Sequence, residues 1–122
     1  MRFGGVFCAV TLLLMAGCSL PSSPALDTED ALKAAEINTQ IALHHLANDD
    51  LAKARQKVDK ALQQNPRSVN AHLVAAEVEA RLDNASAERW HYEKALRQQP
   101  DHSSVLNNYA GYLCRESQVD EP

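Results

Sequence analysis

The chain has 122 residues, which is enough for one small domain, and only 5% of them are aromatic although 45% are apolar. With four glycines in all, this composition disfavours a sandwich or barrel of short strands and predicts helices joined by short polar turns. The formal net charge of −4 argues against nucleic acid or an anionic lipid surface as an electrostatic partner.

The amino-terminal segment has the organisation of an export signal. Arg2 precedes an apolar stretch at 6–15, which is shorter than the roughly 20 apolar residues of a membrane-spanning helix. The string LMAGC at 14–18 resembles a bacterial lipobox, although Met15 stands where leucine is usual. We therefore predict a lipoprotein signal peptide at 1–17; an ordinary secretory signal with a chance cysteine is the alternative.

The lipobox resemblance implies a covalent modification at Cys18 rather than a bound cofactor. The Cys18 thiol would receive a diacylglycerol, and the new amino terminus an N-acyl chain, after cleavage in front of Cys18. The serine and proline content of SLPSSP at 19–24 predicts a flexible lipidated tether over 18–27. Serine directly after the cysteine resembles lipoproteins sorted to the outer membrane, so we expect the folded part to face the periplasm there.

The remaining sequence repeats itself. The string ALQQNP at 61–66 matches ALRQQP at 95–100, which places Pro66 and Pro100 34 residues apart. That spacing is the tetratricopeptide period, with two helices per repeat. The fold class predicted is an all-α tetratricopeptide-repeat solenoid of about two and a half helix-turn-helix repeats. The predicted domain covers 28–117, with repeats at 35–68 and 69–102, a partial repeat at 103–117 and a frayed tail at 118–122.

The repeat frame predicts individual helices and packing positions. Small residues at the helix crossing let two helices approach closely. In the second repeat, Glu79 and Glu88 occupy positions where an aromatic residue and an alanine are usual, and the neighbouring Ala87 suggests a slip of one residue. Helices are predicted at 28–47, 50–64, 68–82, 85–98 and 103–115.

One string carries a family resemblance. LNNYAGYLC at 106–114 resembles the LNNYGxFLC stretch of the type IV pilus biogenesis lipoproteins PilF and PilW, and YEKAL at 92–96 and AAEINTQIAL at 34–43 are similar to the same family. The resemblance implies a short or truncated form of a tetratricopeptide-repeat pilotin. Such a protein binds the secretin subunit of the pilus machinery and promotes its outer-membrane localisation and assembly. The alternative is a periplasmic repeat lipoprotein that serves as a scaffold for other envelope or cell-wall machinery.

The first helix of each repeat is expected to line a concave surface that grips a helical or apolar segment of a partner. Leucines on this surface would contact apolar side chains, while the polar residues would hold backbone or carboxylate groups. The alternative is that the leucines pack against the preceding tether or a neighbouring helix. The candidate partner-binding residues are Leu43, Leu46, Leu73, Arg81, Asn107 and Arg115.

Chemically active residues do not combine into a catalytic or metal site at the spacings present. Adjacent His44 and His45 point about 100° apart on a helix and cannot share one metal ion. The triad-like residues at 101–103 are sequence neighbours and cannot adopt relay geometry. We expect Trp90 to pack between repeats and Cys114 to be buried. The sequence therefore predicts a non-enzymatic binding protein without metal, small-molecule substrate or nucleic acid.

Overall fold

The computed structural model describes residues 28–119; the predicted signal peptide and the whole of the predicted tether lie outside the described residues. Five α-helices follow one another in this range, and no strand occurs within it. None of the helices in this range is long and apolar enough to cross a membrane. The helices are α1 (Glu29–Ala47), α2 (Leu51–Gln64), α3 (Val69–Arg81), α4 (Ala85–Gln98) and α5 (Ser103–Val119).

The helices form two hairpins and a single last helix. α1 packs against α2 and α3, α3 packs against α4, and α4 packs against α5, which is the order of a repeat solenoid. The predicted all-α tetratricopeptide-repeat fold is confirmed. α5 ends at Val119 rather than at the predicted Arg115, so Gln118 and Val119 are helical and do not belong to a frayed tail.

Polar side chains cap the first four helices. The Thr28 hydroxyl accepts a hydrogen bond from the Ala31 amide at 3.3 Å, and the Ser68 hydroxyl accepts one from the Ala71 amide at 3.1 Å. Asp50 and Asn84 cap α2 and α4 in the same way. Because each cap satisfies an amide at the start of a helix, the caps fix where the helices begin.

The turn inside each hairpin has the same backbone conformation. Asp49 and Asp83 adopt φ values of 58° and 55°, a left-handed conformation that aspartate tolerates better than most residues. In both turns the amide of the following residue donates to a carbonyl five residues earlier, Asp50 to His45 and Asn84 to Glu79, at 2.9 Å. The 34-residue period is therefore present in the backbone as well as in the sequence.

Two apolar clusters hold the helices together. The first joins α1, α2 and α3 and contains Ala42, Ala54 and Val58, none of them more than 1% exposed. The second joins α3, α4 and α5 around Tyr92 and Val105. Since α3 contributes to both clusters, the two hairpins share one continuous interior.

The predicted slip in the second repeat is wrong. Glu88 is buried with 3% exposure, whereas Ala87 is only half-buried. Glu88 therefore occupies the packing position that the undisturbed 34-residue frame assigns to it, and an ion pair described below makes this possible.

Candidate functional site

On α1, only one of the two leucines predicted to line the concave surface is exposed. Leu43 is 41% exposed and lies on the surface as predicted, whereas Leu46 is only 5% exposed and belongs to the first apolar cluster. Leu46 lies near the end of α1 and shares this cluster with side chains of α2 and α3. The prediction that Leu46 lines an open groove is therefore wrong, and its role is in the core.

On α3, Leu73 is half-buried and packs against the second apolar cluster. Arg81 at the end of α3 makes three polar contacts. Its Nη1 donates to the Leu46 carbonyl at 2.9 Å and lies 3.8 Å from Asp49 Oδ1, and its Nε donates to Glu77 Oε1 at 3.1 Å. Arg81 therefore ties the turn of the first hairpin to the second, while its side chain remains 41% exposed.

On α5, Asn107 is exposed and Arg115 is directed at a buried carboxylate. Arg115 Nη2 lies 2.6 Å from Glu88 Oε1, and the Glu88 side chain is 3% exposed. The guanidinium also lies 5.9 Å from the ring centre of Tyr112. A carboxylate is buried at acceptable cost only when it is paired and hydrogen-bonded, and Arg115 supplies both for Glu88.

A second buried carboxylate, that of Glu79, is paired with an arginine of the preceding hairpin. Glu79, whose side chain is 5% exposed, pairs with Arg55 of α2 at 3.0 Å and accepts a hydrogen bond from Asn84 at 2.8 Å. The two glutamates that depart from the repeat pattern are thus held by arginines of the neighbouring repeats. The sequence signal for these pairs was the glutamates themselves, because buried glutamate requires a partner.

A histidine pair lies inside the second hairpin and was not found from the sequence. His72 Nδ1 of α3 and His91 Nδ1 of α4 are 3.0 Å apart, and His72 Nε2 lies 3.0 Å from the Pro66 carbonyl. Since a carbonyl only accepts, His72 carries its proton on Nε2, and His91 Nδ1–H then donates to His72 Nδ1. Both rings are neutral in this arrangement.

Burial is the main reason that the pair stays neutral. Desolvation lowers the pKa of His91 to about 4, helped by His72 and by the positive charge of Arg55. Desolvation also lowers the pKa of His72, while its hydrogen bond to the Pro66 carbonyl acts in the opposite direction. Burial likewise raises the pKa of Tyr92 to about 12, with smaller contributions from Glu88 and Glu77.

Trp90 and Cys114 differ from their predicted environments. Trp90 is 48% exposed; its ring stands edge-on to His72 and His91, and Lys94 Nζ lies 4.9 Å from the ring centre. Trp90 therefore covers the histidine pair from outside instead of packing between repeats. Cys114 is an exposed free thiol, so the predicted burial is wrong. In the part of the chain that the structure describes, α5 packs against α4 on one side only, so a period of 3.6 residues cannot reveal the exposure of Cys114.

Residues 28–119 contain no group of three or more histidine, cysteine, aspartate or glutamate side chains placed to hold a metal ion. A small surface cleft lies beside the Glu88–Arg115 pair, between the second hairpin turn and α5; it is lined by Ala80, Asp83, Ala85, Glu88, Arg115 and Glu116. The described surface offers helix faces and shallow clefts, which suit the binding of a polypeptide segment.

No family model matches the chain. The type IV pilus assembly protein PilF of Pseudomonas aeruginosa is 31% identical over 83 residues, which cover 67% of this chain and 32% of PilF. Cellulose synthase operon protein C of Xanthomonas axonopodis pv. citri is 32% identical over 75 residues, covering 62% of this chain and 5% of that protein. The chain thus spans about a third or less of the curated relatives it matches.

The comparison with solved structures also finds similarity to PilF. The solved structure of Pseudomonas aeruginosa PilF matches this chain with a TM-score of 0.70 and 28% sequence identity. The match covers 74% of this chain and 40% of the PilF chain. With identity and fold in agreement, the chain is a PilF-like tetratricopeptide-repeat protein.

Proposed function

We propose that the chain is a pilotin-type adaptor that binds the secretin subunit of the type IV pilus machinery and promotes its outer-membrane localisation and assembly. The observation that carries this proposal is the agreement of sequence and fold with PilF over the same helical repeats. Repeat solenoids recognise other proteins through extended surfaces. That architecture supports a binding role.

We propose a lipid anchor at Cys18 as the second element of this function. The support is the lipobox-like string at 14–18 and the serine and proline run that follows it. Diacylglycerol and N-acyl chains together anchor a protein stably, since each buried methylene contributes about 0.8 kcal/mol. The anchored chain would face the periplasm from the outer membrane, where it can meet secretin subunits during their assembly.

The partner segment is proposed to contact Leu43, Leu73 and Asn107, the predicted residues whose side chains are not committed to ion pairs or fully to the core. Leu43 offers an exposed apolar contact on α1, and Asn107 offers hydrogen bonds on α5. Arg81 and Arg115 are engaged within the chain. A guanidinium has five donors, so each keeps further N–H groups for a carboxylate or carbonyl of the partner.

The test is co-purification of the secretin with the tagged chain from detergent-solubilised membranes. The variant Leu43→Glu places a charge on the proposed surface, and Ile37→Glu is the matched control, because Ile37 is 59% exposed on a different face of the same helix. We expect the wild type and Ile37→Glu to retain the secretin and Leu43→Glu to lose it. A wild-type chain that captures no secretin would refute the proposal.

The anchor is tested separately by Cys18→Ala. Without the thiol, no diacylglycerol can be attached, and we expect the protein to leave the membrane fraction. Wild-type protein should sediment with outer membranes, and continued sedimentation of Cys18→Ala would contradict lipid anchoring.

A second candidate is a periplasmic scaffold for other envelope or cell-wall machinery. The observation that favours it is the 32% identity to cellulose synthase operon protein C. In that case the wild-type chain would capture envelope proteins other than the secretin, and deletion of its gene would leave pili unchanged. The same co-purification therefore separates the two candidates.

A further inference from the structure

Two histidine nitrogens point directly at each other inside the second hairpin. His72 Nδ1 and His91 Nδ1 are 3.0 Å apart, and the centres of the two rings are 5.3 Å apart. This separation of the centres is the largest that a 3.0 Å contact between ring nitrogens allows, so both nitrogens lie on the line between the centres. The in-plane lone-pair directions of the two nitrogens are therefore collinear.

The orientation of His72 is fixed by a hydrogen bond on the far side of its ring. His72 Nε2–H donates to the Pro66 carbonyl at 3.0 Å, which leaves His72 Nδ1 with a free lone pair that accepts the His91 proton. Histidines that bind metal ions commonly donate their other ring N–H to a carbonyl, because this bond sets the tautomer and holds the ring. His72 thus has the tautomer and the support of a metal-binding histidine.

We propose that His72 and His91 form a two-coordinate site for the soft monovalent cation Cu(I), held in line between their two Nδ1 atoms. Imidazole is a good ligand for copper, and Cu(I) accepts two ligands in a line. On binding, the proton of His91 Nδ1 is transferred through water to Nε2 of the same ring, so both rings stay neutral and no proton is lost. The site would be an exception to the sequence prediction of a chain without metal.

The surroundings of the pair favour a monovalent ion over a divalent one. Zn(II) takes four protein ligands in closed sites, whereas the part of the chain that the structure describes has no group of three or more histidine, cysteine, aspartate or glutamate side chains placed to hold a metal ion. The positive charges of Arg55, Lys94 and Arg97 act on the two rings and oppose any added positive charge. An ion with a single charge meets the least of this repulsion.

Burial keeps protons from competing with the cation. It lowers the pKa of His91 to about 4 and also lowers the pKa of His72, so both rings are unprotonated ligands at neutral pH.

Trp90 covers the pair and leaves room for the ion. Its ring centre lies 4.8 Å from that of His91 and 5.9 Å from that of His72. Metal–nitrogen bonds of about 2 Å require the two nitrogens to move apart by about 1 Å. Because Trp90 is 48% exposed, His91 has room to move on this side without displacing the core.

The test is an anaerobic titration of the full chain in mild detergent with Cu(I), in competition with a chromophoric Cu(I) chelator. Cys8, Cys18 and Cys114 are replaced by serine, because soft thiolates select Cu(I). Trp90 is the single tryptophan of the chain, so its fluorescence reports on the site. We expect one Cu(I) per chain and a fall in Trp90 fluorescence. A chain that does not retain Cu(I), or that binds Zn(II) equally tightly, would overturn the proposal.

Substitution of each ligand locates the bound ion. His91→Gln and His72→Gln each remove one imidazole, and His44→Gln is the matched control because His44 is an exposed histidine of the first hairpin. Circular dichroism checks that the variants remain helical. We expect the affinity for Cu(I) to fall at least about tenfold in the first two variants and to stay unchanged in the third. Equal affinities in all three variants would place the ion elsewhere and overturn the proposal.

X-ray absorption of the Cu(I)-loaded chain with both histidines intact does not depend on how the variants fold. We expect the spectrum of a linear copper ion with two nitrogen ligands; three or more ligands, or a sulfur ligand, would overturn the proposed site. This outcome is independent of secretin binding, because neither His72 nor His91 is among the candidate partner-binding residues.

Discussion

The two complete hairpins have the same backbone but different interiors. In the first, between α1 and α2, the buried polar groups find partners within the hairpin: Asn38 donates to Gln64 at 2.8 Å and Thr39 to the Ala35 carbonyl at 2.8 Å. In the second, Glu79 and Glu88 depend on arginines of the adjacent repeats. The buried polar side chains of the first hairpin are therefore satisfied within it, whereas the buried carboxylates of the second depend on arginines from both neighbours.

This difference shows how a short solenoid couples its units. Neighbouring repeats are normally joined by apolar stacking, whose free energy depends on buried area rather than on particular partners. Here Arg55 from α2 and Arg115 from α5 each complete a buried charge in the second hairpin. Loss of either neighbour leaves a carboxylate unpaired, so unfolding of one unit is expected to destabilise the next.

The largest expected effect is a difference in stability loss between the two hairpins at one equivalent repeat position. Tyr92 of α4 corresponds to Val58 of α2, and its ring lies 5.6 Å and 6.3 Å from the rings of Tyr109 and Tyr112 in α5. Tyr92→Ala should lower the free energy of unfolding by about 3–5 kcal/mol, and Val58→Ala by about 2 kcal/mol. Urea unfolding followed by circular dichroism measures both. A larger loss for Val58→Ala would contradict this ranking of the two positions.

The second effect is a pH dependence of the free energy of unfolding that arises in the second hairpin. Because the pKa of His91 falls from 6.5 to about 4 on folding, the unfolded chain binds the proton more tightly. This contribution to stability is complete above pH 6.5 and is lost as the pH falls towards 4, by about 3 kcal/mol at most.

His91→Gln should flatten this part of the stability profile, measured as the free energy of unfolding in urea between pH 7 and pH 4. His44→Gln is the control, since His44 is an exposed histidine of the first hairpin. An equal change of slope in both variants would show that the buried pair is not the source.

The third effect tests the link between the second hairpin and α5. Arg115→Ala leaves Glu88 buried without its partner and should cost about 2 kcal/mol, since Arg115 is itself half-exposed. Glu88→Ala together with Arg115→Ala should recover most of that loss, because alanine is the usual residue at this repeat position. Thermal unfolding of the wild type, both single variants and the double variant completes the cycle. Additive losses would mean that the pair is not coupled.

The smallest effect concerns a buried polar side chain of the first hairpin. Asn38→Ala removes a hydrogen bond to Gln64, whose side chain is only partly buried, and alanine is the better helix former. The expected loss is about 1 kcal/mol or less in the free energy of unfolding, with no change in hydrogen exchange of α4 and α5. Faster exchange in α5 would show that the Asn38–Gln64 hydrogen bond is coupled to the second hairpin.

The repeat fold followed from the sequence because its signals are local and recur with one period. Proline, alanine and capping residues recur 34 residues apart, and each acts within one or two helix turns. The same period placed Glu88 in the interior, but it could not name Arg115 as its partner 27 residues away. Which residues form such a pair depends on how α4 and α5 pack against each other in three dimensions.

The candidate surface was less predictable than the fold. A periodic pattern gives the direction of a side chain on its own helix, and it assigned Leu43 and Leu46 to one surface. Leu46 is buried because it packs with side chains of both α2 and α3, while Leu43 stays exposed. Trp90 and the histidine pair were missed for a related reason: their environment is formed by α3 and α4 together.

The most direct test of the proposed adaptor function is the state of the secretin in cells. In a strain that lacks this gene, the fraction of secretin present as multimers in the outer membrane is measured by membrane fractionation and gel analysis. We predict that the fraction falls sharply, returns with the wild-type gene and with Ile37→Glu, and does not return with Leu43→Glu at equal protein level. Secretin multimers that remain at wild-type abundance in the outer membrane without this gene would contradict the account.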